Sequence, residues 1–102
     1  MEDPISLADL SASDFEKRLN AVFEIQVDDG NKFAITLVQV TKEVTRRRAG
    51  REGFALLFTG TPGLILPQRI YRLTHAEMGI LDIFLVPIGA SPQATQYQAV
   101  FG

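Results

Sequence analysis

The chain has 102 residues, a net charge of −2 at pH 7 and no cysteine. This length supports one domain with one hydrophobic core, and the lack of cysteine excludes disulfides and thiolate metal sites. The acidic N-terminus lacks the basic segment and apolar run of a signal peptide, and no apolar run reaches the roughly 20 residues of a membrane helix. We therefore expect one β-rich domain over residues 1–102, cytoplasmic as synthesised and without a membrane span.

The charges are unevenly distributed along the chain. Residues 1–31 carry eight acids and two bases, residues 32–72 carry two acids and eight bases, and residues 73–102 carry two acids. The acidic first third and the basic middle can pair within the fold, or they can present opposite faces to copies of the same protein. The sequence leaves both alternatives open.

The start of the chain predicts an arm followed by a short helix. The first ten residues contain scattered apolar positions, which suggest an arm that lies on the body of the protein. Ser11 or Ser13 can cap a helix over about residues 12–20. Phe15 and Leu19 are four residues apart and share one helix face, so we expect this helix to cover one end of a sheet.

A β-hairpin is predicted over residues 22–40. Residues 22–28 alternate apolar and polar types, as is typical of a strand with one solvated face. The Asp-Asp-Gly-Asn sequence that follows contains residue types that tolerate a positive φ and form turns. A second strand over residues 32–40 completes the hairpin.

Residues 41–53 contain four arginines and two glycines with almost nothing to bury. This composition predicts a long, mobile connection. We take its arginines as the candidate partner-binding residues: Arg46, Arg47, Arg48 and Arg51. They would contact phosphate or an acidic protein surface, and the alternative is a solvated loop. The negative net charge and the lack of aromatic residues interleaved with the bases argue against nucleic acid.

Residues 79–89, Gly-Ile-Leu-Asp-Ile-Phe-Leu-Val-Pro-Ile-Gly, predict the central strand. The segment lies between glycines and is rich in β-branched and other apolar types. Both of its faces are apolar from Ile83 to Val86, so we expect both to be covered. Pro87 lacks an amide proton and is expected at a bulge or at the end of the strand.

Three further strands complete the predicted fold, over residues 54–59, 69–75 and 96–101. Phe101 is expected to be tied into the sheet, because a terminal aromatic side chain is rarely left in water. The pattern lacks βαβ units, so the strands are expected to be antiparallel. We therefore predict a mainly β fold: a small antiparallel β-barrel or a two-layer sandwich of about six strands with one short N-terminal helix.

His75 is the only histidine and the main candidate for general-base or metal chemistry. No cysteine accompanies it, and the nearest acid, Glu77, lies across a turn, so we expect its ring to hydrogen-bond a turn carbonyl. The sequence also lacks a calcium loop, a phosphate-binding loop and a nucleophile elbow. We therefore expect no catalytic residue, no cofactor and no metal.

Several stretches carry a recognisable pattern: Phe-Ala-Leu-Leu-Phe-Thr-Gly (54–60), Leu-Pro-Gln-Arg-Ile-Tyr-Arg-Leu-Thr-His (66–75), Met-Gly-Ile-Leu-Asp-Ile-Phe-Leu-Val-Pro-Ile-Gly (78–89) and Tyr-Gln-Ala-Val-Phe (97–101). With a looser match of residues 14–19 to a Leu-x-x-Phe helix, the chain resembles a family of small bacterial proteins of unknown function. Its members are often encoded beside phage-tail-collar (microcystin-dependent-like) proteins, so the resemblance implies a role alongside tail-fibre-like assemblies. It brings no catalytic residues. The chain departs from the pattern at Arg69, where glycine is more frequent, and in its arginine-rich connection.

Two functional hypotheses follow. The first is a non-catalytic protein-interaction or assembly module, which binds copies of itself or a tail-collar-type partner through a sheet edge or the charged connection. The second is a small-ligand-binding or enzymatic β-barrel with a pocket near Tyr71, His75 and Tyr97. The chain does not cluster the polar groups that a hydrolytic or metal-dependent site needs, which favours the first hypothesis.

Overall fold

The computed structural model describes residues 10–28, 30–48 and 51–101, and the side chains of residues 43–48 and 51–52 lie outside this description. The described chain forms α1 (Ala12–Glu16), β1 (Val22–Val27), β2 (Asn31–Arg48), β3 (Arg51–Gly60), β4 (Arg69–His75), β5 (Gly79–Ala90) and β6 (Thr95–Phe101).

The six strands form a closed barrel in the order β1-β2-β3-β6-β5-β4, and every neighbouring pair is antiparallel. The barrel closes where residues 24–26 of β1 pair with residues 72–74 of β4. The predicted antiparallel β fold with one short N-terminal helix is confirmed, and of the two architectures left open the barrel is the one observed. Each strand of a closed barrel has one face towards the interior and one towards the outside.

The core fills the barrel interior with alternate residues from each strand. In β1 the side chains of Phe23, Ile25 and Val27 are buried and those between them are exposed, and β6 follows the same alternation. The largest fully buried side chains come from α1 and from all six strands, and they include Phe15, Phe23, Ile35, Leu37, Phe54, Phe58, Tyr71, Leu81 and Tyr97. Phe101 is also buried, which confirms that the end of the chain is tied into the sheet.

The predicted hairpin is formed by β1 and β2. Val27 pairs with Asn31 at its tip. Asp28 has a φ of 54° and Gly30 a φ of 91°, and such positive angles are what a tight turn between twisted strands requires. The Asp-Gly-Asn composition therefore predicted this turn correctly.

The prediction of a long connection over residues 41–53 is wrong. β2 continues to Arg48 and β3 begins at Arg51, so most of this segment is a pair of extended strands. The arginines and glycines of this segment predict a loop. The segment also contains Val44 and Thr45, which are β-branched and favour an extended backbone.

The prediction that both faces of β5 are covered is also wrong for the part of the chain that the structure describes. Ile83 and Leu85 face the interior and are buried, whereas Phe84 between them is 49% exposed. A second sheet layer would have covered the outer face, but a closed barrel has only one interior. The prediction for Pro87 is confirmed, since the register of β5 against β6 shifts between Pro87 and Gly89.

Helix α1 covers one end of the barrel, as predicted, but it is shorter than expected. Phe15 is fully buried, with its ring centroid 5.8 Å from that of Phe54 and 5.6 Å from that of Phe101. The helix ends at Glu16 and the chain then turns, so Leu19 does not share the face of Phe15 and is 44% exposed.

The loop between β3 and β4 covers the other end of the barrel. Leu66 of this loop is buried against the core. Thr95, at the start of β6, is fully buried and donates its hydroxyl to the carbonyl of Leu64 at 2.9 Å. This bond helps to satisfy a backbone carbonyl of the loop, to which the Tyr97 hydroxyl also donates at 3.3 Å.

Ion pairs join the acidic first third of the chain to its basic middle. They are Glu16 with Lys42 at 3.9 Å, Glu24 with Lys32 at 3.6 Å and Asp28 with Arg69 at 3.4 Å. Their side chains are largely exposed, so each pair adds little stability. Among the described residues, the two charged regions thus meet within the fold.

Candidate interaction surface

Large apolar side chains are exposed together on the outside of β4, β5 and β6. They are Ile70, Phe84, Ile88 and Val100, with 66%, 49%, 50% and 51% of their surface exposed. We call these four residues the outer apolar patch. Single exposed apolar residues are common on protein surfaces, but a contiguous group of them is typical of an interaction site.

The strand register brings the members of the outer apolar patch together. Ile70 of β4 pairs with Phe84 of β5, and both side chains face outward. Val86 of β5 pairs with Gln98 of β6, and two residues further along these strands Phe84 and Val100 lie on the same outer face. Strands β4, β5 and β6 thus carry a row of outward apolar side chains, in which Ile70 and Phe84 are directly paired and the position of Val100 beside Phe84 follows from extending the register of Val86 and Gln98.

Ile88 joins the patch through the bulge in β5. It lies between the pair Pro87–Tyr97 and the pair Gly89–Gln96, where the register shifts. A bulge leaves one residue without a direct cross-strand partner and turns the side chain at that point. Half of the Ile88 surface is therefore exposed beside Val86.

The charges next to the patch neutralise each other. Arg72 donates to both carboxylate oxygens of Asp82, through Nε at 3.0 Å and through one terminal nitrogen at 3.2 Å. This hydrogen bonding with Asp82 raises the pKa of Arg72 above its usual value. Arg69 pairs with Asp28 at 3.4 Å and lies 4.7 Å from the centre of the Tyr71 ring. Arg69 alternates with the outward Ile70 and lies over the buried Tyr71, so its pair with Asp28 lies at the barrel end. The outer apolar patch is bordered by the paired charges of Arg72 and Asp82.

The structure places the arginines predicted to bind a partner on the β2–β3 hairpin. Arg46, Arg47 and Arg48 lie at the end of β2, and Arg51 is the first residue of β3, opposite Arg48 in the ladder. Their side chains lie outside the described residues, so their role stays a prediction.

The two tyrosines of the pocket hypothesis bind the backbone of the β3–β4 loop. The Tyr97 hydroxyl accepts the N–H of Leu66 at 3.1 Å and lies 3.3 Å from the carbonyl of Leu64, and the Tyr71 hydroxyl donates to the carbonyl of Pro67. Burial raises the pKa of Tyr71. Both rings are buried, so these side chains hold the loop over the barrel end.

His75 lies at the opposite end of the barrel from the tyrosines. Its Nδ1 accepts the backbone N–H of Glu77 at 3.0 Å and that of Met78 at 3.2 Å, and its ring centroid is 4.9 Å from that of Phe23. The histidine therefore accepts from turn amides instead of donating to a turn carbonyl as predicted. A hollow of about 350 Å³ beside it is lined by residues of β1 and β2, including Glu24, and by neither tyrosine.

The described residues show neither a metal-binding cluster nor a membrane helix. Within them, no group of three or more His, Cys, Asp or Glu side chains is placed to hold a metal ion. The helical part of this same region contains no segment with the length and hydropathy needed to cross a membrane.

The fold and the surface together define a small closed antiparallel β-barrel, covered at both ends, with an apolar row on one outer face. By sequence, residues 10–101 match the family described as Domain of unknown function (DUF6916), and the chain belongs to that family. The resemblance to a family of unknown function is thereby confirmed at that level. A search of the curated proteins and a search of the solved structures each found no match to the chain.

The outer apolar patch was not identified from the sequence. The sequence signal is that β5 is apolar on both faces, but the same pattern also predicts burial on both faces. Ile70 and Val100 are outward residues of strands that otherwise alternate buried and exposed positions. Their proximity to Phe84 depends on the barrel register, which periodicity alone does not specify.

Proposed function

We propose that this chain is a non-catalytic protein-interaction module that builds into a larger protein assembly. The main support for this proposal is the outer apolar patch. Its four large apolar side chains are about half exposed or more, so packing of the core does not explain them. The partner surface that fits it is apolar at its centre and without net charge, since Arg72 and Asp82 already satisfy each other at the rim.

The polar atoms of the pocket hypothesis support a non-catalytic role. The hydroxyls of Tyr71 and Tyr97 bond the β3–β4 loop, and Nδ1 of His75 accepts two turn amides. A catalytic group needs an atom within hydrogen-bond reach of a substrate and a neighbour that activates it. The tyrosines lie at one end of the barrel and His75 at the other, and their polar atoms hydrogen-bond the backbone of the loop or turn at that end.

We further propose that the assembly is of the phage-tail-collar or tail-fibre type. The support is the resemblance of residues 54–101 to small bacterial proteins that are often encoded beside phage-tail-collar proteins. In this proposal the chain is made in the cytoplasm and is then incorporated into the tail-like structure. The arginines of the β2–β3 hairpin offer such a partner a second, basic contact.

The proposal is tested by measuring the mass of the purified chain by light scattering, alone and mixed with a purified tail-collar-domain protein, over a range of concentration and salt. We expect a mass above the 11.3 kDa of one chain in at least one of the two samples. Val100→Ser should weaken the complex, whereas Val22→Ser should not, because Val22 is equally exposed but lies on the outside of β1, away from the patch.

The outcomes separate the parts of the proposal. A mass of one chain under every condition, with no binding to the tail-collar protein, contradicts an assembly role. An assembled chain that ignores the tail-collar protein leaves the module in place and overturns its tail-like setting.

A further inference from the structure

We infer that a second copy of this chain occupies the outer apolar patch, packed face to face about a two-fold axis. The inference rests on the proposed function and names the partner of its surface. Three properties of the patch support it: the charges around it, its exposed area, and the order of its residues across the strands.

The charge pattern suits an identical copy. Among the described residues, the charged side chains next to Ile70 and Phe84 on this outer face are Arg72 and Asp82, which are joined in an ion pair. The other side, on β6, is lined by the uncharged Gln96 and Gln98. A face with a net charge would repel its own copy, whereas this neutral face does not, and its paired rim offers both signs to the same rim of the other chain.

The area of the patch matches the centre of a two-chain interface. If a fully exposed side chain of this kind presents at most roughly 200 Å², the exposed fractions of the four residues correspond to on the order of 400 Å² at most. A specific interface buries about 800 Å² on each partner, with an apolar centre and a polar rim. The patch supplies that centre, and the glutamines and the Arg72–Asp82 ion pair supply the rim.

The order of the residues across the strands is compatible with two-fold symmetry. Phe84 lies on the middle strand, with Ile70 on one side and Val100 on the other. A two-fold axis parallel to β5 places Phe84 against its own equivalent and each Ile70 against the Val100 of the other copy. Every apolar side chain of the row then meets another, which is the self-complementarity that an isologous contact requires.

The absence of cysteine allows a direct test by cross-linking. In Val86→Cys the new thiol lies on the outer side of β5, two residues from Phe84 and close to the expected axis. Sheets that pack face to face are about 10 Å apart, so we expect a short bismaleimide to join two copies of this variant. Ala34→Cys is the control, because Ala34 is exposed on the outside of β2, away from the patch.

Cross-linking of Val86→Cys without cross-linking of Ala34→Cys supports the inference. Monomeric product from both variants overturns it, and so does equal cross-linking of both, because contact would then not be specific to the patch. The two variants keep the core intact, since both substitutions replace outward side chains by one of similar size.

Sedimentation or light scattering then measures the affinity. We expect Phe84→Ser to raise the dissociation constant of the dimer about 10-fold or more, as is usual for an aromatic residue at the centre of an interface. If this variant does not fold by circular dichroism, Val100→Ser and its control Val22→Ser provide the same comparison. A dissociation constant unchanged in the patch variants overturns the inference.

Failure of the inference is distinguishable from failure of the proposed function. A chain that stays monomeric alone but binds the tail-collar protein, with weaker binding in Val100→Ser, has a different partner on the patch. That result supports the proposed interaction module and contradicts the inference that a second copy occupies the patch. A chain that forms neither complex loses both proposals.

Discussion

Strands β1 and β5 lie in the same barrel and bury alternate side chains, in β5 from Leu81 to Leu85, but the central parts of their outer faces differ in character. Outside β1, Glu24 pairs with Lys32 of the neighbouring strand, and both side chains are more than half exposed. Outside β5, Phe84 and Ile88 are exposed to a similar degree with no charge between them. The barrel therefore tolerates either a charged or an apolar exterior.

This difference shows that the outer face of a closed barrel strand is not specified by the fold. The inward residues must be apolar because they share one interior, and the outward residues need only be compatible with an extended backbone. A charged exterior such as that of β1 needs no further explanation. An apolar exterior such as that of β5 costs solubility, and it is the basis of the proposed interaction site.

The comparison is tested most strongly by two neighbouring residues of β5. Ile83→Ala should lower the free energy of unfolding by about 2–5 kcal/mol, because it removes buried methyl groups and leaves a cavity in the core. Phe84→Thr, which gives β5 an exterior like that of β1, should change the monomer by less than about 1 kcal/mol. Chemical denaturation at low protein concentration measures both.

A dimer contributes to apparent stability in a concentration-dependent way. The unfolding of Phe84→Thr is therefore also compared with that of the unmodified chain at high concentration, where only the latter should gain stability. An equal loss of stability from Ile83→Ala and Phe84→Thr at low concentration would mean that the outer face of β5 is part of the core.

The inward face of the fold could be predicted from the sequence, and the outward face could not. Alternation identified Phe23, Ile25 and Val27 as one buried face, and it identified Phe101 at the end of β6. Alternation fails in β5 because burial under a second layer and exposure to a partner select the same apolar residues. The candidate surface depends on pairing across three strands, so no single segment of sequence contains it.

The arginine-rich segment shows a second limit of sequence reasoning. Its charges predicted a loop, yet residues 41–48 and 51–53 are extended in β2 and β3, and all but residues 44–46 are paired in the ladder. Charged side chains are compatible with a strand whose sides face solvent, and the ladder hydrogen bonds do not depend on side-chain type. Composition therefore identified the charges correctly but not the backbone that carries them.

A smaller effect is expected where an inward side chain also has a polar role. Tyr97→Phe removes the hydroxyl that accepts the N–H of Leu66 at 3.1 Å. The buried amide loses its partner, which should cost about 1–3 kcal/mol, although the ring still fills the core. The adjacent outward residue provides the control, since Gln98→Ala should cost less. Urea denaturation of the two variants makes the comparison.

The two stability losses compare the inward and the outward face of β6. A larger loss in Gln98→Ala than in Tyr97→Phe would show that the outer side of β6 contributes more to stability than the hydroxyl that holds the β3–β4 loop. It would contradict the assignment of that loop as a cover held by Tyr97.

The charged exterior of β1 should respond weakly. Lys32→Ala removes the exposed pair with Glu24 at 3.6 Å, and we expect a loss below about 1 kcal/mol because solvent screens such pairs. The loss should disappear at high salt. A double-mutant cycle with Glu24→Ala isolates the pair. A coupling that persists at high salt would contradict the view that this outer face is a solvated one.

The smallest effect is expected at α1, which covers an end of the barrel and belongs to neither outer face. The Asp14 carboxylate accepts the backbone N–H of Ser11 at 2.8 Å, and this hydrogen bond lowers the pKa of Asp14 below its usual value of 3.8. A depressed pKa in the folded state stabilises the protein above the unfolded value, and the stabilisation is lost as the pH falls below it. The stability difference between the unmodified chain and Asp14→Asn should therefore be constant at neutral pH and shrink below pH 3.8.

Ser13→Ala leaves the bond between Asp14 and Ser11 in place, so thermal unfolding of this control should follow the pH dependence of the unmodified chain. If Asp14→Asn also keeps that full dependence in acid, the carboxylate contributes nothing to the helix that closes this end, and packing of Phe15 alone holds it.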